Sequence, residues 1–151
     1  MDCFSKEDRS IIMSHIRGKD TRIEVLLRRF LFSMGYRYRK NDKRYPGHPD
    51  IVLPKYKVVV YVNGCFWHGH DCRLNSHEVK SNKEFWRAKI ERNKARDGKN
   101  HSDMIAMGFR VIVVWECALA KAKDVPSFLV AFEEEIRKGR NTYVEFPLLQ
   151  Q

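Results

Sequence analysis

Apolar residues recur at Ile23, Leu26, Leu27, Phe30, Leu31 and Met34, the i, i+3, i+4, i+7, i+8, i+11 spacing of one helical face. Asp20 or Thr21 can cap this helix and Gly35 suits its exit, while Glu24 lies on the first turn beside the apolar stripe rather than opposite it. Tyr36 to Arg39 alternates as a short strand does. A polar stretch follows and closes on Pro46-Gly47-His48-Pro49, which excludes helix. Asp50-Ile51-Val52-Leu53 and Val58-Val59-Val60-Tyr61-Val62 predict two strands joined by a turn over Pro54 to Lys57. Paired antiparallel about that turn, Asp50 falls opposite Tyr61 and beside Val62. A carboxylate and a strand end thus converge just before Asn63-Gly64-Cys65.

Ser81 to Met107 predicts a mostly helical stretch, broken near Gly98 and ended by Gly108. Phe109 to Trp115 is a buried strand, because Val111-Ile112-Val113-Val114 is apolar on both faces. Asp124-Val125-Pro126 starts a last helix with Phe128, Leu129, Phe132 and Ile136 inward and Gly139 at its end. The order α-β-β-β-α-β-α implies an α/β fold, a mixed central sheet flanked by helices. No repeat, linker or low-complexity run divides the chain, so residues 1–151 are expected to form one domain, with 141–151 as a strand, an arm or a tail.

Charge narrows the function. Lys and Arg number 29 against 19 acidic residues in 151, a formal net charge of +10 and a pI near 9.6. That excess is the footprint of a nucleic-acid binder, and basic residues interleaved with aromatics around Trp86 point the same way. No stretch approaches the roughly 20 apolar residues of a membrane span, and the N-terminus lacks the order of a secretory signal. Four cysteines without an export signal indicate metal or thiol chemistry in a reducing cytoplasm rather than disulfides.

Cys65-Phe66-Trp67-His68-Gly69-His70-Asp71-Cys72, with distant Cys117, supplies three thiols and two imidazoles, one of them spare. Cys65, His70, Cys72 and Cys117 can form a closed tetrahedral zinc site, structural rather than catalytic, that staples two parts of the fold. Buried thiols are the commoner fate of free Cys, but the close C-x4-H-x-C spacing favours zinc; Cys3 is left as a plain thiol. Asp50 and Glu24 are hard oxygen donors suited to magnesium at a phosphodiester, and His68 can move a proton. Singly, Asp50 reads as a turn carboxylate and Glu24 as a favourable charge at a helix N-terminus; their convergence on the Cys-rich loop carries the catalytic reading. Phe66 and Trp67 sit between metal ligands in a basic chain, where apolar wedges can unstack bases. Trp86 can join them or pack its helix.

Arg9-Ser10, Met13, Ile16, Asp20-Thr21, Ile23-Glu24, Pro46-Gly47-His48-Pro49-Asp50, Gly64 to Cys72, Glu84-Phe85-Trp86, Asn93, Arg96-Asp97 and Val114-Trp115-Glu116-Cys117-Ala118-Leu119 together resemble the very-short-patch repair (Vsr) endonucleases. The resemblance spans about residues 9 to 120, and Gly-Cys-Phe-Trp-His joined to Trp-Glu-Cys is its most specific part. It implies a restriction-endonuclease-like, PD-(D/E)XK-type core with structural zinc. It also implies nicking of the thymine strand of a T:G mismatch, 5′ to that thymine, where 5-methylcytosine has deaminated.

By the same resemblance, Asp50 and the main-chain carbonyl of Val62 would hold catalytic magnesium. Glu24 would complete that site through water, and His68 would handle the proton with Asp97 orienting it. Cys65, His70, Cys72 and Cys117 match the zinc ligands, and Phe66, Trp67 and Trp86 match intercalating aromatics. Residues 1–19 would be a DNA-contacting arm, with Met13 and Ile16 as a minor-groove wedge. The implied partners are double-stranded DNA with a T:G mismatch and proteins of the repair pathway, with no membrane. A monomer in the bacterial cytoplasm, at the nucleoid, is expected. One departure stands out: many members carry a histidine directly before Gly-Cys, where this chain has Asn63, which cannot shuttle a proton at neutral pH. Rival readings are a zinc-containing nuclease of other DNA specificity, or a DNA-binding module with weakened catalysis.

Overall fold

The computed structural model describes residues 21–72, 81–120 and 125–148. Helix α1 (Arg22–Ser33) begins as the pattern predicts: Thr21 caps it, its hydroxyl accepting the Glu24 N–H at 3.4 Å. Leu27 and Leu31 are wholly buried, while Ile23 and Phe30 pack at the core margin. Met34, expected inward, is exposed. The chain leaves the helix at Gly35, with φ +90°, and Tyr36 takes the inward position instead, donating its hydroxyl to Glu133 at 2.6 Å. That diversion also moves the first strand on: β1 is Arg39–Lys40, not the Tyr36–Arg39 run.

Strands β2 (Ile51–Leu53) and β3 (Val58–Asn63) form the expected hairpin, paired antiparallel with Ile51 opposite Val60 and Leu53 opposite Val58. This register carries Asp50 to the level of Tyr61, as read from the sequence. Helix α2 (Lys83–Ala106) runs unbroken through Gly98 and ends before Gly108, whose φ is +91°. A side chain at position 98 would meet nothing within 4 Å. Glycine there costs about 1 kcal/mol of helix propensity, too little to break a helix whose other face packs on the sheet.

Strand β4 (Arg110–Trp115) pairs parallel with β3, Asn63 lying beside Trp115. One element was not expected, the short helix α3 (Glu116–Ala120); of the alternatives open for 141–151, the strand is realised as β5 (Tyr143–Phe146), a parallel edge strand. Between them α4 (Val125–Lys138) buries Phe132 and Ile136, with Phe128 and Leu129 partly covered; Asp124, its expected start, lies outside the described residues. The sheet is therefore mixed, in the order β1-β2-β3-β4-β5.

Its two faces carry separate cores. Ile51, Leu53, Val58, Val60, Ile112, Val114, Val144 and Phe146 pack with α1 and α4 residues. Val52, Val59, Tyr61, Val111, Val113 and Trp115 face the other way, with Met104 of α2 and with Cys65 and Cys117. Coverage on both sides is why β4 is apolar from Val111 to Trp115. Among the described residues no helix is long and apolar enough to cross a membrane.

Candidate active site and metal centre

The hairpin register and the N-terminus of α1 bring Asp50 and Glu24 together. Asp50 Oδ2 accepts the Val62 N–H at 2.6 Å, tying the carboxylate to the end of β3. Glu24 is buried at 2 % exposure, hydrogen-bonds the Asp50 side chain, and receives Arg28 Nη1 at 3.4 Å. Burial pushes the Asp50 carboxyl up to about 7, the Val62 N–H opposing and the Glu24 charge reinforcing that shift. A cation beside Asp50 would offset both the burial and the neighbouring Glu24 charge that hold its proton. Such an oxygen-rich pair, with main chain alongside, fits a hard divalent ion such as magnesium.

Asp50 opens into a cleft of about 640 Å³ that also exposes Val62, Asn63, His68 and Asp97. Asp97 comes from α2, and its carboxylate takes the His68 Nδ1 in a short hydrogen bond, leaving Nε2 as the ring's other nitrogen. The loop bearing His68 is held against α2 at Gly69, where φ is +65°: an added Cβ would sit 2.7 Å from Ile90 and 2.8 Å from Lys94. Asn63 is buried at 6 % exposure between this cleft and a second cavity of about 180 Å³. The far wall is the loop before Asp50, anchored by the Tyr61 hydroxyl donating to the Pro46 carbonyl at 2.7 Å. It contributes Asn41, Lys43 and His48. Sequence reading missed these, and also Asn100 and His101 of α2. The i, i+4 spacing of Asp97 and His101 on one helix was the available signal.

Cys65, His70, Cys72 and Cys117 place their donor atoms within 4.8 Å of one another. Tetrahedral bonds of 2.0–2.3 Å put ligands roughly 3.3–3.8 Å apart, so a small contraction closes the set on zinc. Burial drives the Cys65 thiol up to about 12, offset by main-chain hydrogen bonding from Cys117 and reinforced by the Cys72 and Cys117 thiols. A soft-ligand metal would supply the positive charge that lets the Cys65 thiol ionise there. The His70 ring stacks on Trp115 at 4.0 Å and 7°, and the Cys65 N–H donates to Glu116 at 3.4 Å. The four donors join the loop after β3 to the helix after β4.

A family model described as DNA mismatch endonuclease Vsr matches residues 1–74, a span that includes Glu24, Asp50 and the Asn63–Cys72 run. The chain is 41% identical over 119 residues to the DNA mismatch endonuclease Vsr of Escherichia coli K12, covering 78% of this chain and 75% of that protein. It is 56% identical over 118 residues to the type II nicking enzyme V.NmeAIP of Neisseria meningitidis serogroup A, covering 78% and 84%. Similarity to the type II nicking enzyme V.HpaIIP of Haemophilus parainfluenzae is 37% over 140 residues, covering 92% and 95%. The chain belongs to the Vsr family of DNA mismatch endonucleases.

In this Vsr-family chain the aromatics expected to meet DNA form one cluster beside the cleft. Phe66, Trp67 and Trp86 stand 5.3–5.6 Å apart in edge-on contacts, and Phe85 adds an exposed ring 5.3 Å from Trp86. Trp86 therefore both packs and joins the group. Lys89 Nζ lies over Trp67 and Trp86 at 5.4 and 5.5 Å, and Asn93 donates to the Trp67 carbonyl at 2.9 Å. Met13 and Ile16, the expected second wedge, lie outside the described residues.

Proposed function

We propose that this chain is a magnesium-dependent endonuclease that nicks the thymine strand of a T:G mismatch, 5′ to the thymine, on a PD-(D/E)XK-type core braced by structural zinc. The observation that carries this reading is the meeting of Asp50, backed by buried Glu24, and the Asp97-held His68 at one cleft, with the Phe66-Trp67-Trp86 cluster alongside, in a Vsr-family chain. Neither cluster alone implies mismatch-directed hydrolysis; a phosphodiester centre beside an aromatic wedge does.

Asp50 and the Val62 carbonyl would hold the magnesium, with Glu24 behind them. Bound there, the ion supplies stabilisation of the charge that develops at phosphorus. Arg28, one turn further along α1, holds the Glu24 carboxylate in place through its guanidinium. His68, its tautomer fixed by Asp97, presents its other nitrogen for proton transfer at the reacting phosphate. Phe66, Trp67 and Trp86 would enter beside the mismatch, where a mispaired base is cheapest to unstack. Lys89 and the +10 net charge attract the backbone without reading sequence. Cys65, His70, Cys72 and Cys117 would hold zinc and so keep His68 and the aromatics in register with Asp97.

Asn63 favours a second reading, a mismatch-binding module with weakened turnover. A labelled duplex with one T:G mismatch, incubated with magnesium or with chelator beside a matched T:A duplex, decides between them. Magnesium-dependent nicking of the thymine strand, confined to the mismatch, is expected. Selective binding without cleavage would establish the second reading, and equal cleavage of both duplexes would remove mismatch specificity.

A further inference from the structure

Hydrolysis of a phosphodiester needs two proton transfers. The attacking water must lose a proton as its oxygen bonds to phosphorus, and the departing oxygen must gain one as its bond breaks. His68 can serve one of these. Asn63, Asn41 and Asn100 cannot carry protons at neutral pH, Lys43 and Arg96 are cations, Asp97 is engaged by His68, and Asp50 faces Glu24. His48 is exposed on the rim loop. Among the described residues of the cleft wall, His101 remains, a half-buried imidazole.

We propose that His101 is the second proton-handling residue of this cleft, accepting the proton of the attacking water while His68 serves the departing oxygen. The inference rests on the hydrolytic reading above and assigns a role to a residue that reading leaves unused. His101 stands one helical turn beyond Asp97 on α2 and lines both the main cleft and the smaller cavity behind Asn63. Its ring is held between Tyr61 of β3, at 4.8 Å, and Tyr143 of β5, at 5.6 Å. Two aromatic walls on separate strands fix the ring's direction, as a proton acceptor requires.

The groups facing it are Asp97 from its own helix, Glu145 and Tyr143 from β5, Tyr61 from β3 and His68 from the Cys-rich loop, with Lys94 across the smaller cavity. Burial holds the imidazole below its ordinary range, with Asp97 and Glu145 opposing and His68 adding to the shift. The ring is thus neutral, and able to accept, at neutral pH. The proton balance closes: water's oxygen bonds to phosphorus, its proton passes to His101, and the departing oxygen takes its own from the His68 side.

The alternative is a ring that merely fills the space between two tyrosines, and two variants separate the readings. Single-turnover nicking of T:G duplex is measured against pH, with magnesium saturating at each point, for the parent, His101→Gln and His101→Phe. Phenylalanine keeps the packing and glutamine keeps polarity, but neither accepts a proton. Both variants should lose about 100-fold or more in rate near neutral pH. Both should also lose the rise in rate with pH that deprotonation of His101 gives the parent, while mismatch binding in chelator stays unchanged. Parental rate and profile in His101→Phe would overturn the proposal in favour of packing. A parent that binds T:G duplex but never cleaves it would overturn the hydrolytic reading, and this role with it.

Discussion

Asp50 is a carboxylate penalised by its own surroundings. Desolvation and the nearby Glu24 hold its carboxyl up to about 7, against an unfolded value near 3.8. A raised carboxyl pKa means that the folded metal-free chain is unpenalised below pH ~4, loses stability as pH rises through ~4 to ~7, and carries the full cost above that. A divalent cation reverses the cost by replacing the proton. Magnesium affinity should therefore rise about tenfold per pH unit up to about pH 7 and level off beyond, since one proton is displaced per ion. Titration calorimetry from about pH 5.5 to 8.5, bracketing that pKa, checks this; an affinity flat across that range would mean Asp50 is not the displaced group. Asp50→Asn removes the charge but little bulk, so nicking should fall by at least 1,000-fold, roughly the 4 kcal/mol of a lost charge-stabilising contact. Binding to T:G duplex in chelator should stay within about threefold. Parental turnover by Asp50→Asn would move the reaction elsewhere in the cleft.

At the scale of elements, what was legible followed from local rules, and what was not depended on distant partners. The β2–β3 hairpin could be read because Pro54 to Lys57 fixes the turn and a single register buries both apolar faces. Asp50 beside Val62 followed directly. The Cys and His spacing likewise announced a cluster, although only the fold shows Cys117 arriving from the end of β4. Gly98 misled because its conformational cost is local whereas the packing of α2 that overrides it is tertiary. β5 was left open because Tyr143–Phe146 becomes a strand only by pairing with β4. His101 went unnoticed since its neighbours Tyr61 and Tyr143 come from strands far apart in sequence. The aromatic cluster is built across elements in the same way, from the loop after β3 and the first turn of α2. Trp67→Ala should weaken binding to T:G duplex by about 1–3 kcal/mol, the value of one stacked base, and weaken matched duplex less. Fluorescence anisotropy with both duplexes at one salt concentration makes the comparison, and equal losses would reduce Trp67 to a packing residue.

For the molecule as a whole, the sheet is the frame, and the Cys/His cluster joins the loop after β3 to α3 on the face that carries the cleft. The core with α1 and α4 is the larger of the two, with its buried polar groups paired, as in Tyr36 with Glu133 and Arg28 with Glu24. The opposite core is closed by one long helix whose surface is mostly exposed, with Met104 its one wholly buried residue. Cys65 and Cys117 are buried in this second core, where they link the loop carrying His68 and Trp67 to α3. A four-ligand ion here would constrain the chain as a cross-link closing a long loop does, a constraint worth about 2–5 kcal/mol. Cys117→Ser should therefore lower Tm by roughly 5–15 °C, at the 2–4 °C per kcal/mol of a chain this size. The parent should contain one equivalent of zinc by elemental analysis, and prolonged chelation should reproduce the loss in Tm. Destabilisation should be accompanied by loss of nicking, because releasing the loop frees His68 from Asp97 and the aromatics from one another. Magnesium returned after chelation should not restore activity, whereas zinc followed by magnesium should, since the two sites differ in donor chemistry. A Cys117→Ser chain with parental Tm, together with a metal-free parent, would show that the cluster is a set of buried thiols and that apolar packing alone holds the loop.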